Sequence, residues 1–93
     1  EARLDLSEEL IEVPAAGGTY AVNVLTNILE RDLRFVVSND KMIKAVTIDD
    51  NRLTFTVPKA ASRDTKTYVL TVYSIDGWGE RVEAELKLVQ KSR

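Results

Sequence analysis

The stretch Arg52-Leu53-Thr54-Phe55-Thr56-Val57 alternates polar and apolar side chains without interruption. Such period-two alternation is typical of a β-strand that has one buried and one solvated face. Leu53, Phe55 and Val57 would therefore face a core, and Pro58 would end the strand because proline has no N–H to donate. This stretch predicts a half-buried strand in a sheet.

The same alternation recurs on both sides of this stretch. It predicts longer strands over residues 19–25, 33–37, 66–75 and 80–90, and shorter ones over 4–6, 10–13 and 45–48. Between the last two strands, Asp76-Gly77 and Gly79 favour a hairpin, since these residues tolerate positive φ. The side chains expected to face the core in the longer strands are Val22, Val24, Leu33, Phe35, Val37, Tyr68, Leu70, Val72, Val82, Ala84, Leu86 and Leu88.

Two segments also contain helix-forming residues. Residues 27–33 begin with a capping asparagine and could form one helical turn, whereas residues 83–90 alternate too regularly for a helical stripe. We therefore expect an all-β fold, an antiparallel β-sandwich of seven to eight strands. A chain of 93 residues can bury one core, so we expect a single domain over residues 1–93, excised from a larger protein.

The residue types that are missing limit the chemistry. The chain has no cysteine and no histidine, which excludes thiolate nucleophiles, Ser-His-Asp triads and zinc sites built from these ligands. A net charge of -2 gives no positive field for a nucleic-acid partner. No apolar run reaches the roughly 18 residues of a membrane span, so we expect no direct membrane insertion. We expect no catalytic residue, no metal site and no cofactor.

Residues 11–27, with the sequence IEVPAAGGTYAVNVLTN, resemble the opening of a known family of bacterial β-domains. Three later pieces agree with it in order and spacing: the strand Leu53-Thr54-Phe55-Thr56-Val57, Arg63 ahead of the strand with Leu70 and Val72, and a final Leu88-Val89-Gln90. The chain is therefore similar to BACON domains, whose name abbreviates Bacteroidetes-associated carbohydrate-binding often N-terminal. A closely related immunoglobulin-like family of Bacteroidetes surface lipoproteins is the alternative.

This resemblance implies an immunoglobulin-like sandwich in a lipoprotein-anchored parent at the bacterial cell surface or in the periplasm. It implies a non-catalytic spacer, orienting or protein-interaction module whose partners are neighbouring domains of the same parent chain, and possibly a glycan. The isolated domain is expected to be a monomer. A third hypothesis is that the domain is a subunit of a surface filament and donates its first or last strand to a neighbouring subunit.

The chain departs from the family where aromatic rings are expected. Family members often carry tryptophans after the Thr-Asn that ends the second strand and again near mid-chain. Here those places hold Ile28-Leu29 and Met42-Ile43. The departure weakens the case for sugar binding.

Trp78, the only tryptophan, lies between two glycines at the tip of the predicted hairpin. It could stack on a sugar or a protein partner, or it could fold back over the end of the sandwich. Tyr73 and Ile75 could share its face of the sheet and form a small apolar cluster. Trp78, Tyr73 and Ile75 are therefore the candidate binding residues. Tyr20 and Tyr68 are expected in the core with their hydroxyls at its edge.

The remaining polar motifs are expected to be structural. Asp49-Asp50-Asn51 and Asn39-Asp40 offer oxygens for calcium, but they lack a complete ligand spacing and are better explained as turns. Paired carboxylates for glycoside hydrolysis could come from Glu8, Glu9, Glu30, Glu83 or Glu85. However, Glu83 and Glu85 alternate with basic residues, as is typical of a solvated face with cross-strand ion pairs.

Two further motifs are expected to support the fold. Gly17-Gly18 should allow a tight reversal of the chain, and the Gln90 side-chain amide should form hydrogen bonds with main-chain groups at the rim of the sandwich.

Overall fold

Each of the predicted strands is present in the computed structural model, which describes residues 2–61, 63–75 and 79–91. Residues 27–33 contribute no more than the single 3-10 turn Glu30–Asp32. The described residues form eight strands: β1 (Leu4–Leu6), β2 (Leu10–Val13), β3 (Gly18–Thr26), β4 (Arg34–Val37), β5 (Lys44–Asp49), β6 (Arg52–Val57), β7 (Lys66–Ile75) and β8 (Arg81–Gln90).

These strands form two four-stranded sheets that pack face to face. One sheet has the order β1-β3-β6-β5 and the other the order β2-β8-β7-β4. The chain changes sheet between β2 and β3, as expected from the reversal at Gly17-Gly18. β7 and β8 pair antiparallel as predicted, while the predicted turn at Asp76-Gly77 lies outside the described residues. The result is an immunoglobulin-like β-sandwich. Every strand pair is antiparallel except β2 with β8, which is parallel and was not predicted.

The core lies between the inner faces of the two sheets. Leu53 and Phe55 of β6 are fully buried and face the other sheet, where Leu70, Leu86 and Leu88 are fully buried as well. Each such side chain contributes about 1.5–3 kcal/mol through removal of its apolar surface from water. The predicted alternation is confirmed in β3, β6, β7 and the second half of β8, while Val82 and Ala84 at the start of β8 are only half-buried.

Phe35 was expected in the core, and this expectation is wrong. The Phe35 side chain is 44% exposed although its register partner, Val72, is fully buried on the inner face. The reason is the position of β4, which forms the edge of its sheet and pairs only with β7. At this edge the opposite sheet does not extend far enough to bury an inward-facing side chain.

The first and last described residues lie at opposite ends of the sandwich, whose Cα dimensions are 45 × 23 × 18 Å. At one end the Arg3 N–H bonds the Asn27 side chain at 2.8 Å, close to the start of β8. At the other end the Lys91 N–H bonds the Val13 carbonyl at 3.0 Å, just after β8 ends. In the described part of the chain, no helix has the length and apolarity needed to cross a membrane.

Candidate functional site

Tyr73 and Ile75 lie on the outer face of β7, near the end of the strand that leads into the hairpin tip. The Arg81 guanidinium covers the Tyr73 ring, with its carbon 4.1 Å from the ring centroid. Arg81 also lies 3.5 Å from a Glu83 carboxylate oxygen. One face of the Tyr73 ring therefore makes a cation–π contact within the domain and is not open to a ligand.

Ile75 is 58% exposed and Leu29 is 57% exposed. The two side chains help to line a cavity of about 310 Å³ together with Ile28. The fold therefore brings Ile28 and Leu29, from the segment that follows β3, to the same cavity as Ile75. Trp78 lies outside the described residues, and its place in this cluster stays a prediction.

The sequence-predicted carboxylates lie on the surface. All five are exposed to solvent: Glu8, Glu9, Glu30, Glu83 and Glu85. The expectation of cross-strand ion pairs around Glu83 is wrong, because the Arg81–Glu83 pair joins two residues of the same strand. Side chains two residues apart share a face of a strand, which places them within reach of each other. Both side chains are nearly half exposed, so this pair contributes little to stability.

The two acidic loops form turns, as predicted. Asp50 and Asn51 have φ values of 52° and 59°, the left-handed pair that a two-residue turn between β5 and β6 needs. In the other loop, the Asn39 side chain accepts a hydrogen bond from the Lys41 N–H at 3.0 Å. Turn formation thus accounts for these polar side chains, and no group of three acidic residues in the described ranges is arranged to hold a metal.

Gln90 has the structural role that the sequence predicted. Its side-chain amide donates to the Pro58 carbonyl at 2.9 Å and to the Pro14 carbonyl at 3.3 Å, and it is 2% exposed. It thereby ties the end of β8 to the turns that follow β2 and β6. Its Oε1 atom is buried and has no hydrogen-bond partner among the described residues.

Sequence reasoning missed a groove that runs along the first half of β8. It consists of two adjoining cavities of about 760 and 490 Å³, which share Leu4, Asp5 and Glu83 in their walls. One wall comes from β1 of one sheet and the other from β8 of the opposite sheet. Because these strands are far apart in sequence, only their packing in the fold reveals the groove.

No protein-family model and no curated protein matches the chain. Solved structures do match. A chimeric titin Z1Z2 functionalized with a KLER exogenous peptide from decorin has a TM-score of 0.60 at 10% identity, covering 100% of this chain and 99% of that one. The M1 domain from titin has a TM-score of 0.54 at 14% identity, with coverage of 98% and 95%. Titin kinase and its flanking domains has a TM-score of 0.58 at 14% identity, covering 97% of this chain and 17% of that one.

At these identities the likeness shows the fold alone. It agrees with the immunoglobulin-like sandwich expected from the sequence, and this fold is typical of non-catalytic modules. Since one scaffold of this kind serves many roles, the function has to be argued from the geometry of this chain.

Proposed function

We propose that this domain is a non-catalytic module that spaces or orients neighbouring domains of its parent chain. The observation that supports this role is the separation of residues 2 and 91, of which the first lies near the start of β8 and the second just beyond its end. A domain with this geometry inserted in a chain holds its two neighbours apart along a rigid axis. β8, with ten residues, sets this separation at roughly 30 Å.

The cellular setting of the proposal comes from the resemblance to BACON domains. It is the cell surface or periplasm of a bacterium, in a lipoprotein-anchored parent that takes part in glycan use. The exposed carboxylates and the absence of histidine and cysteine agree with a role without catalysis. The isolated domain is proposed to be a monomer that contacts neither nucleic acid nor the membrane interior.

The spacer role can be tested with spin labels, because the chain contains no native cysteine. Labels on the double variant Ala2→Cys, Lys91→Cys should give one narrow distance distribution centred at roughly 30 Å or more. The same protein in denaturant serves as the control for a flexible chain. A native distribution as broad as the denatured one, or a short distance between the labels, would overturn the proposal.

The role in the parent chain has its own test. Replacing the domain by a Gly-Ser linker of the same residue number should change the placement of the flanking domains, because such a linker is a flexible coil. Unchanged activity and placement of the parent's other domains would count against a spacer.

Carbohydrate binding through Trp78, Tyr73 and Ile75 is the other function that the resemblance implies. The Arg81 contact on Tyr73 argues against an open stacking platform at that residue. Tryptophan fluorescence reports on Trp78 alone, since it is the only tryptophan. We expect no saturable change when oligosaccharides are titrated; a saturable change that Trp78→Ala abolishes would establish sugar binding instead.

A further inference from the structure

The edge strand β4 has a free backbone edge. It pairs only with β7 among the described strands, and no second described strand runs alongside it. Just after β4, the Ser38 N–H donates to the Val69 carbonyl of β7 at 2.9 Å. Backbone groups along a strand alternate in direction, so Phe35 and Val37 direct their N–H and C=O groups away from β7. These groups have no main-chain partner among the described residues.

The segments before and after β4 leave this edge open. Ile28 and Asp32 of the preceding segment line a cavity with Ile75, at the end of β7. The following segment turns at Asn39, whose carbonyl accepts the Ile43 N–H at 3.1 Å, and continues into β5 of the opposite sheet. Neither segment runs back along β4. The place beside β4 in its own sheet is therefore open to a further strand.

The composition of β4 favours such pairing. β5, the edge strand of the opposite sheet, has an irregular register between Lys44 and Thr47, whereas β4 keeps a regular register over its four residues. The Phe35 and Val36 side chains, on opposite faces of β4, are 44% and 49% exposed. Natural proteins usually interrupt or charge an exposed strand edge. A regular edge of aromatic and β-branched residues is instead suited to pairing with another strand.

The charge of Arg34 indicates which strand would fit. Arg34 is the first residue of β4 and is exposed to solvent. Its Nη1 atom donates to the Arg31 and Leu33 carbonyls at 2.7 and 2.9 Å, which holds the guanidinium in place. Within the described ranges, no carboxylate forms an ion pair with it. This fixed charge is complementary to an acidic side chain on a neighbouring strand.

A second copy of β4 does not supply that acidic side chain. In an antiparallel pair centred on Val36, Phe35 of each strand lies opposite Val37 of the other, and Arg34 lies opposite Ser38. β4 itself, with the sequence RFVV, contains no acidic residue. The observations therefore favour a different chain, with β-branched side chains opposite Phe35 and Val37 and a carboxylate opposite Arg34.

We propose that an extended segment of a partner protein, apolar with one acidic residue, adds to the free edge of β4 as an antiparallel strand. Main-chain bonds to Phe35 and Val37 hold it, and its carboxylate pairs with Arg34. Its inward-facing side chains cover the exposed side chain of Phe35. This inference goes beyond the spacing role, because it gives the domain a partner outside its own chain. The distance between labels at residues 2 and 91 does not depend on this segment, so the two proposals fail separately.

The test uses the whole domain and the capped peptide Thr-Val-Thr-Val-Glu, followed by NMR of the backbone amides. In antiparallel pairing this peptide places valines opposite Phe35 and Val37 and its glutamate opposite Arg34. We expect saturable shifts at millimolar peptide that are largest at the Phe35 and Val37 amides. Arg34→Glu should weaken binding about tenfold, because it replaces an attraction by a repulsion. The peptide Thr-Val-Thr-Val-Lys should show the reverse preference and bind Arg34→Glu more tightly than the native domain.

Two further variants separate this edge from general attraction to a basic surface. Arg52→Glu makes the same charge change at the exposed first residue of β6, in the opposite sheet, and should leave the affinity unchanged. Val37→Pro removes an N–H that β7 does not use and keeps a side chain of similar size, so it should lose most of the peptide affinity. The amide spectrum of Val37→Pro shows whether it is folded; if it is not, Arg34→Glu with the two peptides decides.

Any one of four results would overturn the proposal. They are the absence of shifts at millimolar peptide, equal weakening by Arg34→Glu and Arg52→Glu, full binding by folded Val37→Pro, and a native domain that binds the glutamate and lysine peptides equally. Shifts of the Phe35 and Val37 amides with domain concentration alone, without peptide, would also contradict it and assign the edge to a second copy of this chain.

Discussion

At the scale of single residues, the reversal between β2 and β3 depends on Gly17. Its φ is +79°, in the region that favours glycine. A Cβ at this position would overlap the Val57 carbonyl oxygen and lie 2.7 Å from the Pro58 carbonyl group. Gly79 has a similar φ of +84°, but no described atom lies within 4 Å of its Cβ position. A substitution at Gly79 would therefore introduce backbone strain alone, whereas a substitution at Gly17 would introduce the same strain together with steric overlap.

Gly17→Ala should destabilise the domain much more than Gly79→Ala. We expect a loss of about 1 kcal/mol for Gly79→Ala, from the left-handed backbone alone, and of at least about 2 kcal/mol for Gly17→Ala, where the overlap adds to it. Urea unfolding of both variants measures the difference in free energy of unfolding. Equal losses would show that the packing around Gly17 can relax.

Gln90 gives a prediction that depends on pH. In Gln90→Glu an ionised carboxylate would face the carbonyls of Pro14 and Pro58, so burial should raise the pKa of the new carboxyl in the folded state. The folded state then binds more protons than the unfolded state, and stability falls as pH rises above about 4.3, the unfolded value for glutamate. We expect a loss of about 3 kcal/mol or more at pH 7, and a smaller loss near pH 4.

The measurement is the free energy of unfolding of Gln90→Glu relative to the native protein at each pH, which removes the contribution of the other carboxylates. Gln90→Met removes the same hydrogen bonds without a charge and should show a loss that does not vary with pH. The same loss for Gln90→Glu at pH 4 and pH 7 would contradict the prediction.

At the scale of strands, the sequence predicts where elements lie but not how they meet. The alternation of Leu53, Phe55 and Val57 is local, so it marked β6 and its inner face correctly. The pairing of β2 with β8 joins residues far apart in sequence, so its parallel direction could not be predicted. For the same reason the sequence did not reveal the exposure of Phe35 or the groove between Asp5 and Glu83, both of which depend on neighbouring strands.

The strand β5 contains an irregularity that the alternation did not signal. Its register against β6 shifts between Lys44 and Thr47, and Ala45 within this bulge has a φ of 53°. Alanine in the left-handed region costs about 1–2 kcal/mol relative to its usual conformations. Such a bulge on an edge strand interrupts the regular ladder and makes pairing with another chain less favourable.

Ala45→Gly should stabilise the domain by about 1 kcal/mol, because the release of this strain exceeds the greater chain entropy of glycine in the unfolded state. Thermal unfolding at matched concentration measures the effect. Ala61→Gly, at an exposed position without positive φ, is the control and should destabilise slightly. A lower melting temperature for Ala45→Gly than for the native protein would contradict this view of the bulge.

At the scale of the whole molecule, both sheets share one core and should unfold together. Leu53→Ala in one sheet and Leu70→Ala in the other each remove a fully buried side chain. We expect each to cost about 2–5 kcal/mol in one cooperative transition, whereas Leu25→Ala, at a side chain that is 54% exposed, should change stability little. Transitions that differ between circular dichroism and tryptophan fluorescence would show that the sheets unfold separately.

The parallel pairing of β2 with β8 has a mechanical consequence. The two strands belong to opposite ends of the chain, so tension applied through residues 2 and 91 would draw them past each other along their common axis. The ladder bonds lie across that axis and would carry the load together instead of opening one after another. Under a pull between residues 2 and 91, the sandwich would resist extension until this short ladder sheared as a unit.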